Sequence, residues 1–329
     1  MMKNNKSFDE VYGATRAVIF GHAVADALGV PVEFNSRASL MRDPVLNMRE
    51  YGTYHMPRGS WSDDTSMTLA ALAALSGGEL DFDAVMHNFW LWYSEGSFTP
   101  AGKLFDIGGT SAEAIMNYGV RGLTPTACGL CAPNSNGNGS LMRILPFVLF
   151  AKYSGYSGNV AELIRAASSL THAHERSVVG CGIYTEIVLA LLDAPEPSSV
   201  SLGIKRAHDI YKTSSEFAAY SRIFDKNFPL LEEKDIKSSG YVVDTLEAAI
   251  WCILTTNDYK SCVLKAVNLG EDTDTVAAVA GGLAGALYGY GAIPREWVEQ
   301  LLKNDYVDRL CADAARGFLA RSRKNSENK

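Results

Sequence analysis

Two short acidic clusters, Ser62-Asp63-Asp64-Thr65 and Glu271-Asp272-Thr273-Asp274-Thr275, hold more carboxylates and hydroxyls than a helix start requires. A single Asp, Ser or Thr is enough to cap a helix and oppose the positive end of its dipole. Asp63, Asp64, Asp272 and Asp274, with the hydroxyls of Ser62 and Thr275, form an oxygen-only donor set. Hard cations such as Mg²⁺ or Mn²⁺ prefer such donors, and this number of carboxylates is enough to hold two of them. A pair of ions of this kind orients sugar hydroxyls, activates water and stabilises developing charge.

Further residues stand where chemistry is needed. The stretch Asn134-Ser-Asn-Gly-Asn-Gly-Ser-Leu-Met-Arg143 is a Gly/Asn/Ser-rich turn expected to open a helix at Ser140. Free backbone N–H groups in such a turn suit phosphate oxygens. It lacks the Gly-Lys-Ser/Thr of a Walker loop and the preceding strand of a dinucleotide fold. Asp106 is again an acid at a helix entrance, and Glu33 follows a Gly-then-Pro helix end. Asp26 sits in the last turn of its helix, where the dipole disfavours a negative charge, a local conflict typical of functional positions. Thr171-His172-Ala173-His174 invites a metal reading but has no further His or Cys nearby. Cys128-Gly-Leu-Cys131 lacks the second ligand pair that a structural zinc site needs, and both thiols are read as incidental.

The elements that must position these residues are almost all helical. Phe8, Val11, Tyr12, Thr15 and Ile19 recur at helical spacing, followed by Gly21, Ala25 and Gly29 at intervals of four, which predicts a first helix over about 8–28. Residues 43–61 are loop-like, and Met67 to Leu75 continue a buried helix capped by Ser62. Behind the second acidic cluster, Gly281, Gly282, Gly285 and Gly289 interrupt a run of small apolar residues that lets neighbouring helices approach closely. Buried carboxylates at the end of such a helix must be paired or bound to metal. Shorter, more polar helices are expected over 199–235, two more near the end of the chain, and a frayed polar tail from Ser322. Because the two acidic clusters lie far apart in sequence, sharing one site requires a single all-α domain, with a core over about 8–321 of the 329 residues.

Composition narrows the class. With 47% hydrophobic residues and 20% charged, the chain suits a globular fold, and a net charge of -7 argues against a nucleic-acid partner. No run approaches the roughly 18 apolar residues of a membrane span. Met1 to Glu10 shows no apolar secretory region, and the six scattered cysteines are read as reduced thiols of a cytoplasmic protein.

Taken together, Gly21-His-Ala-Val-Ala-Asp-Ala-Leu-Gly-Val-Pro-Val-Glu33, Trp61-Ser-Asp-Asp-Thr65, Phe105-Asp-Ile-Gly-Gly-Thr110, Asn138-Gly-Ser-Leu-Met-Arg143, Thr171-His172, Gly240-Tyr241 and Glu271-Asp-Thr-Asp-Thr275 resemble the ADP-ribosylglycohydrolase family, above all its bacterial dinitrogenase-reductase-activating type. The resemblance spans most of residues 12–290. It implies an all-α orthogonal helical bundle around a dinuclear Mg²⁺ or Mn²⁺ site. Ser62, Asp63, Asp64, Asp272, Asp274 and Thr275 would be the ligands, with Glu33 beside the metals. Asp106 would assist proton transfer, with Glu33 and Asp64 completing the catalytic group. Asn138, Gly139, Ser140, Met142, His172 and Tyr241 would hold ADP-ribose. Ser62 departs from the family's commoner Thr but keeps the hydroxyl, and Ala25 replaces a usual Gly. The implied reaction is hydrolytic removal of ADP-ribose from a modified protein side chain, an arginine first of all. An O-linked serine, a small ADP-ribose conjugate, or non-catalytic ADP-ribose binding remain the alternatives.

Overall fold

A computed structural model describes residues 6–327, so part of the expectation for the opening segment lies outside the described residues. The α-helices among them are α1 (Phe8–Gly29), α2 (Arg37–Arg42), α3 (Asp63–Leu75), α4 (Phe82–Glu95), α5 (Gly109–Gly119), α6 (Leu145–Tyr153) and α7 (Val160–Ser169). They continue with α8 (Glu175–Asp193), α9 (Ser198–Tyr211), α10 (Val242–Leu254), α11 (Tyr259–Asn268), α12 (Thr273–Tyr288), α13 (Arg295–Gln300) and α14 (Asn304–Glu327). Short 3₁₀ turns join several of these, and isolated bridges rather than sheets are the extended pairings among the described residues. The chain is all-α, and no described helix is long and apolar enough to cross a membrane.

α1 and α12 form the centre. Ser7 and Glu10 start α1 with a reciprocal capping box, at 3.2 and 2.7 Å. The first turns of α1 are amphipathic, but every residue from Ala17 to Gly29 is buried. α12 is buried from Thr273 to Leu287. Two helices hidden on all sides can touch only through small residues, and a Cβ at Gly21 would lie 2.5 Å from the Gly281 carbonyl oxygen. Ala25, the departure noted above, fits because the residue facing it is Gly281, whose added Cβ would lie 2.5 Å from the Ala25 methyl. Hydroxyls tie further helices to this pair: Tyr259 donates to the Gly21 carbonyl at 2.7 Å and Tyr184 to that of Val279 at 3.0 Å. α3, α6, α8, α10, α11 and α14 surround the pair, and one apolar cluster runs through all of them.

Three expectations change. The helix expected to open at Ser140 begins at Leu145, with residues 140–143 in turns, because Pro146 has no N–H to donate and suits only the first turn. The Gly/Asn turn therefore does not lead straight into a helix N-terminus. The tail expected to fray from Ser322 stays helical to Glu327; Arg321 reaches back to the Gly78 carbonyl and the Glu79 carboxylate. After α9, residues 217–235 form 3₁₀ segments rather than short α-helices.

Candidate active site

The two acidic clusters meet. Asp26, at the end of α1, turns its carboxylate onto the start of α3, accepting the Ser62 N–H at 3.0 Å and the Thr65 N–H at 3.0 Å. A charge misplaced at the end of its own helix thereby opposes the dipole of another. Ser62 Oγ caps α3 by accepting the Asp64 N–H at 3.2 Å. From α12, the Thr275 hydroxyl donates to Asp64 Oδ1 at 3.2 Å and joins the clusters directly. Gly29 makes this possible, because a Cβ there would collide with the backbone of Thr273 and Asp274.

Loops hold the remaining acids. The Phe34 N–H donates to the Glu271 carbonyl at 2.7 Å and the Glu271 N–H to the Asn35 carbonyl at 2.8 Å, clamping the Glu33 turn against the start of α12. Glu271 itself takes a left-handed φ of 62° and is exposed, while Asp272 and Asp274 turn inward. Asn138 donates its amide to Asp272 Oδ2 at 2.8 Å and to Thr245 Oγ1 at 2.9 Å. Tyr54 donates to Glu33 Oε2 at 2.5 Å.

Carboxylate oxygens of Asp26, Asp64 and Asp274 lie within 4.8 Å of one another, and so do those of Glu33, Asp106 and Asp274. Asp274 belongs to both groups. Asp64 Oδ2 and Asp272 Oδ1 are buried without any hydrogen-bond partner. Burial, followed by the repulsion of neighbouring acids, pushes the carboxyls of Asp63, Asp64 and Asp274 well above the usual range. Burial also raises Asp106 and Asp272. It lifts Asp26 to about 6, and together with Asp106 it lifts Glu33 to about 8. Buried acids packed this closely require either protons or cations. With two orphaned oxygens and only oxygen donors, the residues present fit hard divalent cations.

Above these acids opens a cleft of about 310 Å³. Glu33, Asp63, Asp106, Asp272 and Thr275 line its acidic side, while Ser62, Asp64 and Asp274 are buried and do not line it. Gly139, Met142 and His172 face the cleft from the opposite turn. A Cβ at Gly139 would lie 2.8 Å from the His172 ring, so only glycine leaves the backbone so near it. Burial and the Arg143 charge lower the His172 ring to about 3, so it is neutral, and one nitrogen is 2.9 Å from Thr171 Oγ1.

Ser140 points away from the cleft, fully buried beside Ser168 Oγ at 2.9 Å. Arg143, which ends the same turn, is buried over the Phe89 ring and donates to Thr171 Oγ1 at 2.7 Å. Tyr241 lies next to cleft-lining Gly240 and accepts from Arg176 at 2.9 Å. His174 caps α8 by accepting the Arg176 N–H, which explains the second ring of the His-x-His pair. Cys128 is buried and Cys131 exposed, both as free thiols. Asp26 and Tyr54 were not among the site residues expected from sequence. The dipole conflict pointed to Asp26, whereas nothing in the loop around Tyr54 marked it out.

Comparison with known proteins gives one family. The ADP-ribosylglycohydrolase profile matches residues 8–327. A protein of Pseudomonas putida (strain GB-1) named ADP-ribosylarginine hydrolase Tri1 is 32% identical over 309 residues, covering 93% of this chain and 78% of its own. ADP-ribosyl-[dinitrogen reductase] glycohydrolase of Rhodospirillum rubrum is 30% identical over 297 residues, 88% of this chain and 91% of its own. A solved structure described as an ADP-ribosylglycohydrolase-related protein complex superposes with a TM-score of 0.78 at 27% identity, covering 94% of this chain and 99% of that one.

Proposed function

Because this chain belongs to the ADP-ribosylglycohydrolase family and is a glycohydrolase, we propose that it hydrolyses the bond between C1″ of ADP-ribose and the guanidinium of a modified protein arginine. The observation that carries this reading is the pair of carboxylate groups sharing Asp274 beneath the cleft, with Asp64 Oδ2 and Asp272 Oδ1 unpartnered. Ser62, Asp63, Asp64, Asp272, Asp274 and Thr275 would hold two Mg²⁺ or Mn²⁺ ions; of these, Asp64 and Asp274 stand in the two carboxylate groups, whose other members are Asp26, Glu33 and Asp106. When bound, such ions supply Lewis acidity toward the ribose diol and toward water.

The chain's own residues do the rest. Asn138 fixes the orientation of Asp272 through its amide. The backbone around Gly137 to Gly139 and the neutral His172 ring form the wall against which the ADP-ribose lies. Asp106 and Glu33 handle protons. Water adds its oxygen to C1″ as the C1″–N bond breaks; one carboxylate takes a proton from the water and the leaving nitrogen receives one. The Pseudomonas putida relative is named for the arginine linkage, which favours arginine over the serine alternative. We further read residues 1–329 as one domain, with a core over about 8–321, of a cytoplasmic protein acting on ADP-ribosylated protein.

The test is release of free ADP-ribose from an ADP-ribosylarginine protein with Mg²⁺ or Mn²⁺ and with EDTA. Metal-dependent release is expected. Equal release in EDTA would remove the metal from the scheme, and release only from serine-linked substrate would move the linkage.

A further inference from the structure

Phe34 is an aromatic residue in an unusual place. It lines the cleft directly after Glu33, yet 70% of its surface is exposed. Its φ is 64°, a left-handed conformation that glycine adopts freely and a phenylalanine does not. Hydrogen bonds over-determine it: its N–H donates to the Glu271 carbonyl at 2.7 Å, the Asn35 N–H to the Val32 carbonyl at 3.0 Å, and Thr53 Oγ1 to the Glu33 carbonyl at 2.8 Å. A strained backbone that keeps an apolar ring out of the core is a feature found at ligand clamps.

The ring is part of a short series. Phe34 meets Tyr54 edge-on at 6.4 Å between centroids, and Tyr54 meets Phe105 at 5.1 Å. Each outer aromatic neighbours a cleft acid in sequence, Phe34 after Glu33 and Phe105 before Asp106, and Tyr54 donates to Glu33. Among the described residues lining the cleft there is no lysine or arginine, and of its acids Glu33 and Asp106, which are not assigned to the metals, adjoin the aromatic series. Aromatic faces beside carboxylates, with no competing protein cation, suit a planar cation that stacks and hydrogen-bonds at once.

We infer that Phe34 is a specificity-determining residue that stacks on the guanidinium of the leaving side chain and thereby selects arginine-linked over neutral, hydroxyl-linked ADP-ribose. The inference rests on the hydrolase reading above and names what that site recognises beyond ADP-ribose.

The experiment compares Phe34→Leu, which keeps apolar bulk without a π face, and Phe34→Trp with the wild type. Both variants should keep the helical circular dichroism, since the ring is largely exposed. On an ADP-ribosylarginine protein, Phe34→Leu should lower kcat/KM on the order of tenfold and Phe34→Trp should retain it. Inhibition by agmatine, a free guanidinium compound, should weaken in Phe34→Leu alone, and ADP-ribose affinity should be equal in all three. Wild-type kcat/KM in Phe34→Leu, or an equal loss of ADP-ribose affinity, overturns the inference while leaving the hydrolase reading intact. A wild type inactive on the arginine-linked substrate overturns both.

Discussion

At the scale of single residues, the site is defined by which oxygens are held and which are left open. Asn138 makes the point. It stands in the turn expected to hold ADP-ribose, and its side-chain amide donates to Asp272 Oδ2 and Thr245 Oγ1, which leaves Asp272 Oδ1 as the free oxygen. A group that aims a ligand acts on metal affinity before it acts on substrate. Asn138→Ala should therefore weaken Mn²⁺ binding by about 10–100-fold with ADP-ribose affinity in saturating metal much less affected. Isothermal titration with each ligand checks this. A loss confined to ADP-ribose binding would return Asn138 to the substrate.

At the scale of elements, four acids from two sequence clusters are brought together because three helix ends coincide: the end of α1 and the starts of α3 and α12. The close approach at Gly29 sets this coincidence. Gly29→Ala places a methyl where the Thr273–Asp274 backbone runs, and overpacking of this kind costs about 1–3 kcal/mol. We expect a lower melting temperature together with weaker metal binding, because the displaced backbone carries Asp274. Unchanged melting and metal affinity would show that α1 and α12 separate freely there. The helices themselves were legible in sequence, since apolar spacing, capping residues and the glycine run each report on local geometry. The start of α6 and the turn chemistry of residues 140–143 were not, because a Gly/Asn-rich loop is compatible with many paths and Pro146 alone sets the helix start. Tyr54 was also illegible: its partner Glu33 lies across a loop, and only the folded chain brings them to 2.5 Å.

At the scale of the whole molecule, a deeply buried acidic centre makes stability depend on protons and metal together. Glu33 rises from 4.5 to about 8, through burial first and then the charge of Asp106, so the folded chain binds a proton that the unfolded chain has lost. The sign follows: this carboxyl sets no penalty below pH 4.5, and the metal-free fold loses stability as pH rises from there through about 8. Asp26, lifted to about 6, acts in the same direction. Thermal melts of EDTA-treated protein should decline across that window, and Mn²⁺ should raise the melting temperature most at its upper end. A metal-free melt that is flat over that range would show that the acids are not buried together. The seven sequence markers were enough to name the family, and the fold agrees, because their order along the chain reports on a shared topology that no single marker carries. The leaving-group side of the cleft was not readable, since Phe34 gains its meaning only from its conformation and exposure.

If acids on three helix ends form one metal centre that performs hydrolysis, Asp274, shared by both carboxylate groups, is the residue on which both metal binding and turnover depend. The measurement is Mn²⁺ binding and ADP-ribose release from an ADP-ribosylarginine protein, side by side, for the wild type and Asp274→Asn. Asp274→Asn should keep its helical content and lose both metal binding and release. A variant that binds no Mn²⁺ yet releases ADP-ribose at the wild-type rate would contradict hydrolysis at a metal centre.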